Sequence, residues 1–149
     1  DEKLGSVVKG NRQDGKRLRQ HFFDNNPSFK TLRDKVTRAA KKGYLKGLDG
    51  RKIFIRSEHA ALNSLLQGGG AVIMKKGLAL FDSLIKLNTY DAKFVANIHD
   101  EWQMEVHETI ATNVGQLAVD CIINAGDYYN LRCPMDGEYK VGRDWSETH

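Results

Sequence analysis

The spacing of apolar positions divides the chain into helices and hairpins. After Asn26-Pro27, a pair that suits the cap and the first position of a helix, apolar residues recur at helical spacing until Gly43 supplies a stop. A second helical pattern begins after Ser57 and runs to about Leu87. The pattern therefore predicts two long helices joined by residues 44–55.

The regions around these helices give weaker signals. Residues 1–24 are polar and helix-prone, and we expect Gly10 and Gly15 to break them into pieces. Residues 44–48 and 52–55 flank Asp49-Gly50, a pair typical of a two-residue hairpin turn. We therefore expect short helices before Pro27 and a β-hairpin after its helix.

A run of three glycines, Gly68-Gly69-Gly70, interrupts the second helical pattern. Each Gly costs about 1 kcal/mol relative to Ala inside a helix, so the run needs a reason. One interpretation is a helix break or a tight helix crossing, and the other is close approach of a ligand to the backbone. The sequence leaves both open.

The second half of the chain begins with two strands, residues 93–98 and 101–106, separated only by His99-Asp100. The second strand alternates, which places Trp102, Met104 and Val106 on its apolar face. An amphipathic helix from Ile110 to Ala125 follows, then a short strand near residues 135–141 and a tail at 145–149. Helices interspersed with hairpins predict an α+β fold, with a small antiparallel sheet packed by helices.

Charge is distributed unevenly along the 149 residues. Residues 1–56 hold 16 Lys/Arg against 6 Asp/Glu, a local +10, whereas residues 57–149 hold 7 against 13, a local −6, giving the net +4. This asymmetry indicates a polyanion-binding surface beside a site that gathers carboxylates. A solvated basic helix face is the alternative.

Other features exclude several classes of protein. The longest apolar-rich run, residues 60–74, contains three polar side chains and is too short to span a bilayer, so we expect no membrane association. Cys121 and Cys133 have no His/Cys cluster beside them, which excludes a disulfide framework and favours the cytoplasm. The chain has no initiator Met and no signal pattern, so we expect it to begin within a longer protein.

The tripeptide His99-Asp100-Glu101 is the strongest candidate for chemistry. A tight turn between strands would present Asp100 rigidly at the sheet edge, where a carboxylate can bind Mg²⁺. Two such ions about 4 Å apart stabilise both oxygens of a phosphoryl transfer. By itself, however, Asp in a turn is also ordinary turn chemistry.

Residues 94–106, FVANIHDEWQMEV, resemble the motif C hairpin of family A (polymerase I type) DNA polymerases, in a phage-like form. The resemblance implies that Asp100 is one of two catalytic aspartates that carry Mg²⁺, for which Mn²⁺ can substitute. It also implies a supporting catalytic role for Glu101 and a position near the primer terminus for His99.

Residues 47–52 look like the family's hairpin that precedes the helix contacting primer–template DNA, and residues 56–68 are similar to that helix. This implies minor-groove contacts by Asn63 and Gln67, which one helix face presents because they lie four apart. Arg56 and His59 are implied DNA contacts too. Bacterial members usually have Arg at position 59, whereas phage-type members have His.

The resemblance covers essentially the whole chain, since residues 1–5 look like the segment after the motif B helix and residues 142–149 like the family's C-terminus. It implies a basic, helical fingers-derived segment at 1–43 and a palm subdomain at 44–149. Motifs A and B, the thumb and an exonuclease are absent from the sequence. We therefore expect activity to require an upstream segment carrying motifs A and B.

The implied function is template-directed nucleotidyl transfer by a two-metal mechanism, in DNA replication in a bacterial or phage-infected cell. Primer–template DNA and dNTP are the implied partners. Without motif A we expect an unpaired sheet edge, which self-association of the chain could cover. The alternatives are a non-catalytic DNA-binding module and an HD-type metal phosphohydrolase. The latter is disfavoured because the remaining histidines are scattered, at His21, His59, His107 and His149.

Overall fold

A computed structural model describes residues 1–148. These residues form six α-helices and two antiparallel two-stranded sheets, which confirms the α+β class. In chain order the elements are α1 (Glu2–Val7), α2 (Arg12–Asn25), α3 (Pro27–Ala40), β1 (Tyr44–Lys46), β2 (Lys52–Phe54), a 3₁₀ turn (Glu58–Ala60), α4 (Ala61–Leu87), β3 (Ala92–Ile98), β4 (Glu101–Val106), a second 3₁₀ turn (Glu108–Ile110), α5 (Ala111–Tyr128) and α6 (Trp145–Thr148).

The described chain divides into two compact units. The first unit consists of residues 1–46 and 52–65, and the second of residues 47–51 and 66–148. No helix within residues 1–148 is long and apolar enough to cross a membrane. The separate assignment of residues 1–43 to fingers and 44–149 to palm concerns function and stays a prediction.

Two glycines let α1 and α2 approach each other closely in the first unit. A Cβ on Gly15 would lie 2.0 Å from the carbonyl oxygen of Asp1, and one on Gly5 would lie 2.1 Å from that of Asn11. Gly10 does separate the two helices, as predicted. The predicted break at Gly15 is wrong. Gly15 lies inside α2, and its lack of a side chain lets the backbone of Asp1 and Gly5 come close.

The first hairpin differs from its prediction in the turn. Five residues, Gly47–Arg51, connect β1 to β2, so the expected two-residue turn is wrong. The Asp49 carboxylate accepts hydrogen bonds from the backbone N–H and the guanidinium of Arg51, and Gly50 has φ +85°. These local side-chain bonds stabilise a wider loop. A core of Val36, Ala40, Leu45 and Ala61 lies beneath the hairpin.

Helix α4 continues through all three glycines to Leu87, which excludes the interpretation of the glycine run as a helix break. A Cβ on Gly69 or Gly70 would meet nothing within 4 Å, so no tight crossing within the described residues accounts for these two positions. The helix persists because residues on its inward face, including Ile73 and Phe81, are buried. Close approach of a ligand stays a prediction.

The core of the second unit joins α4, α5 and the β3–β4 sheet. Phe81, Val114 and Cys121 are fully buried, and the predicted apolar face of β4 packs against them. Residues 135–141 were expected to form a strand, but they belong to none in the described chain. The segment has strand-like sequence but no backbone partner, and pairing defines a strand.

Candidate functional site

The β3–β4 hairpin has the tight tip that the sequence predicted. Ile98 pairs with Glu101, which leaves His99 and Asp100 as the two turn residues. His99 has φ +54°, in the left-handed region that costs an L-residue roughly 1–2 kcal/mol. Strained residues of this kind concentrate at functional sites, and here the strain fixes the direction in which Asp100 leaves the sheet.

The two carboxylates at the tip have different surroundings. Asp100 is exposed, and its side chain makes no hydrogen bond or ion pair with residues 1–148. Glu101 is half-buried, and its Oε1 accepts a hydrogen bond from Nε2 of Gln103, two residues along the same strand face. Asp100 is therefore free to bind an external ligand, whereas Glu101 is held in place by its neighbour.

A cavity of about 650 Å³ lies beside the tip and is lined by Asp100, Glu101, β4, α5 and residues 135–142. The C-terminal segment contributes two more carboxylates, Asp136 and Glu138, together with Lys140. Sequence reasoning missed these three residues. No local pattern connects them to Asp100, since an entire helix separates them from it along the chain.

The wall of this cavity includes a strand without a second partner. Within residues 1–148, β4 pairs only with β3, so the sheet keeps the unpaired edge that the sequence analysis expected. Trp102, on β4, also lines the cavity, and its buried Nε1 has no hydrogen-bond partner in the described chain. Unpaired donors of this kind are uncommon in protein interiors.

Gln67 lies on the same side of α4 as a residue of the cavity wall. Met74 lines the cavity beside Asp100 and is seven residues from Gln67, which is two turns and about 10 Å along the helix. Gln67 is exposed, and its side chain makes no hydrogen bond within residues 1–148. Its amide is therefore available on the helix side that leads to the cavity.

Three other predicted DNA contacts belong to the first unit. Arg56 precedes the 3₁₀ turn, His59 lies within it and Asn63 lies in the first turn of α4. All three side chains are exposed, and none makes a hydrogen bond or ion pair with residues 1–148. They form a polar surface at the start of α4 that is exposed within residues 1–148.

The basic residues of α3 and of the two positions after it fall into two groups, those that contact another side chain and those that do not. The Arg33 guanidinium lies 4.1 Å from the centroid of the Phe23 ring and pairs with Asp34. Lys42, just after the helix, lies over the Tyr44 ring. Lys30, Arg38 and Lys41 are exposed and have no such partner within the described residues.

The hairpin tip presents few side chains that could bind a metal ion. Within residues 1–148 no group of three or more His, Cys, Asp or Glu side chains could hold a metal ion. Asp100 and Glu101 offer at most two carboxylates. This suits Mg²⁺, which usually takes one or two protein carboxylates beside water and substrate phosphates.

Sequence comparison matches the chain to one protein family. The profile of DNA polymerase family A matches residues 1–147. The DNA-directed DNA polymerase of Escherichia phage Phieco32 is 36% identical over the whole chain, and that of Enterobacteria phage T3 is 34% identical. DNA polymerase I of Aquifex aeolicus is 31% identical over 97% of the chain.

The fold of the chain is also similar to that of a solved polymerase structure. The POL domain of Pol1 from M. smegmatis, in complex with DNA primer-template and dNTP, superposes on 82% of the chain with a TM-score of 0.74 and 27% identity. The chain spans about a quarter of the length of these relatives: 25% of the Phieco32 protein, 24% of the T3 protein, 26% of the Aquifex protein and 24% of the M. smegmatis chain.

Proposed function

Because the chain belongs to DNA polymerase family A, we propose that it supplies Asp100 and primer–template contacts to template-directed nucleotidyl transfer. The observation that carries the proposal is the strained two-residue tip, which holds an exposed carboxylate that has no partner within residues 1–148, in a chain that matches the family almost end to end. The reaction would be that of a DNA-directed DNA polymerase in replication.

Asp100 would hold the divalent ion, Mg²⁺ or in its place Mn²⁺, since its carboxylate is exposed and bonded to nothing in residues 1–148. Bound there, the metal supplies charge neutralisation for the oxygens of the transferred phosphoryl group. The second carboxylate of a two-metal site would come from outside this chain, from an upstream segment with motifs A and B.

Glu101 and His99 would act beside Asp100. The hydrogen bond from Gln103 orients the Glu101 carboxylate, which suits a supporting catalytic role. His99 is exposed at the left-handed position of the turn, from which its ring can approach the primer terminus. The turn therefore serves both as a scaffold for Asp100 and as a platform for the primer end.

The polar residues at the start of α4 would contact duplex DNA. Asn63 and Gln67 carry neutral amides, and every Watson–Crick pair offers minor-groove acceptors in similar positions. Such contacts test the shape of a pair without reading its sequence. Arg56 and His59, which lie just before α4, would add contacts to the same DNA duplex.

The wider assignments follow from the same proposal. Residues 1–43 would be a fingers-derived segment and residues 44–149 a palm subdomain. The partners would be primer–template DNA and dNTP, both present in the M. smegmatis relative's structure. The site of action would be the cytoplasm of a bacterial or phage-infected cell.

The test is primer extension by a complete polymerase that contains this segment. Asp100→Ala should lower incorporation at least about 10³-fold, because transition-state charge is left unneutralised. Asp91→Ala is the matched control, since Asp91 is also exposed but lies just before β3, at the opposite end of the hairpin. The 149-residue chain without its upstream partner should not extend a primer with any divalent metal. Near-normal incorporation by the Asp100 variant would refute the proposal.

A further inference from the structure

Glu101 and Gln103 lie on the same face of β4, and their side chains bond to each other. The Nε2 amide group of Gln103 donates a hydrogen bond to Oε1 of Glu101. Side chains two positions apart on a strand point to the same side of the sheet, so the strand itself brings the two groups together. Both residues are half-buried, which limits the competition from water for this bond.

The side chains opposite this pair on β3 are apolar. Ile98 faces Glu101 in the register of the hairpin, and Ala96 faces Gln103. Directly opposed residues are the nearest cross-strand neighbours on one face of a sheet. Neither apolar side chain can donate a hydrogen bond to a carboxylate. On this face of the hairpin, the Glu101 side chain is therefore held by Gln103.

The carboxylate that Gln103 holds lies next to the proposed metal ligand. Asp100 and Glu101 are consecutive, and both line the cavity beside the hairpin tip. The proposed site already takes one carboxylate from Asp100 and another from outside this chain, and Mg²⁺ usually takes only one or two. A third carboxylate would occupy positions that water and substrate phosphates need. A Glu101 side chain released from its neighbour would therefore compete for the ion.

We propose that Gln103 is a positioning residue that keeps Glu101 from binding the metal ion directly. This inference rests on the proposed role of Asp100. The amide holds the Glu101 carboxylate along β4, so that Asp100 remains the single carboxylate ligand from the hairpin. Groups that hydrogen-bond to carboxylates at metal sites commonly change metal affinity or activity by 10–100-fold when they are removed. Gln103 acts in this way without contacting the ion or the substrate.

The experiment is a Mn²⁺ titration of a complete polymerase that contains this segment, with the unbound ion measured by electron paramagnetic resonance. Gln103→Met keeps the length of the side chain but removes the amide donor, which releases the Glu101 carboxylate. Mn²⁺ should then bind about tenfold more tightly, because the site gains a negatively charged ligand. In primer extension with Mg²⁺, kcat should fall about tenfold, because that ligand takes a position needed by substrate. A site that was merely distorted would instead lose both metal affinity and rate.

Two controls separate this role from a structural one. Gln116→Met removes a bond of the same kind on α5, from Nε2 of Gln116 to Oδ1 of Asp120, and should change neither measurement. Gln103→Met in a Glu101→Gln background should have no further effect, because the negative charge that it would release is gone. Gln103→Leu also suits a half-buried strand position and should reproduce both changes, and it replaces the methionine variant if thermal unfolding shows that variant to be misfolded.

The results that contradict this inference differ from those that contradict the proposed function. Unchanged Mn²⁺ affinity in the folded Gln103 variants, weaker binding together with slower incorporation, or an undiminished effect in the Glu101→Gln background would each overturn the role of Gln103. If the proposed function itself is wrong, Asp100→Ala will leave Mn²⁺ binding and incorporation near wild type. Loss of both in Asp100→Ala, beside normal Gln103 variants, would overturn this inference alone.

Discussion

Ile98 and Glu101 pair directly across the end of the β3–β4 hairpin, which leaves only His99 and Asp100 to reverse the chain. Such a short connection requires a positive φ, and His99 takes it at +54°. The position of Asp100 thus follows from a backbone conformation rather than from side-chain contacts. Two properties of the tip, its strain and its chemistry, can therefore be separated by mutation.

The strain at position 99 predicts the order of stability of its variants. His99→Gly should leave the free energy of unfolding within about 1 kcal/mol of wild type, because Gly adopts positive φ without steric cost. His99→Val should lose roughly 1–2 kcal/mol, since a β-branched side chain resists the left-handed region. Urea denaturation of the chain measures both. Asn97→Val, at an exposed position within β3, is the control, and an equal loss there would show that the turn is not the cause.

The open space beside Gly70 predicts opposite effects on stability and on DNA binding. Gly70→Ala should stabilise the chain by about 0.8 kcal/mol, because a Cβ there meets nothing within 4 Å and Ala favours a helix. Gly77→Ala, on the same helix, should gain nothing, because its Cβ would lie 2.8 Å from Cδ1 of Ile122. If DNA approaches the backbone at Gly70, the alanine variant of the complete polymerase should bind primer–template more weakly. Unchanged affinity would rule out that interpretation of the glycine run.

Charged and neutral DNA contacts should respond differently to salt. Replacing Lys30 and Lys41 by Gln removes two exposed charges without disturbing Arg33, which is engaged with Phe23 and Asp34. The slope of log affinity against log salt for primer–template DNA should fall by about 0.9 for each lost phosphate contact. Asn63→Ala or Gln67→Ala should leave that slope unchanged while altering extension from matched or mismatched ends. A wild-type slope in the lysine variant would mean that these charges form only a solvated face.

The buried thiol of Cys121 predicts a loss of stability at alkaline pH. Burial, with a smaller contribution from Asp120, raises the pKa of Cys121 above its ordinary value of 9.0, so the folded state retains the proton that the unfolded state releases. The stabilisation is therefore complete below the unfolded pKa and is lost as pH rises through the folded one. Cys121→Ala should cost about 1–3 kcal/mol at neutral pH, and this difference should shrink above pH 9. Cys133→Ala is the control, since Cys133 is exposed, and a difference for Cys121 that does not vary with pH would contradict the prediction.

Features that depend on residues close together along the chain could be predicted without the structure. The spacing of apolar residues located α3, α4, both hairpins and α5, because helical and strand periodicities repeat within a few residues. The same local logic placed Asp100 at a hairpin tip, Cys121 in the core and the basic residues on α3. The roles of Asp100, Glu101, Asn63 and Gln67 stay predictions, since they rest on the family resemblance.

Features that join distant segments of the chain became visible in the folded structure alone. The sequence predicted a break at Gly15, yet Gly15 lies within α2. A glycine is needed there because a Cβ would clash with the backbone atoms of Asp1 and Gly5. Glu138 and Lys140 line the same cavity as Asp100 because α5 carries the chain back past β4, and no periodicity encodes that return. Residues 135–141 have the composition of a strand, but strand formation needs a partner edge as well as a sequence. Contacts between remote segments depend on how whole elements pack, and that information is spread over the core rather than held in any one motif.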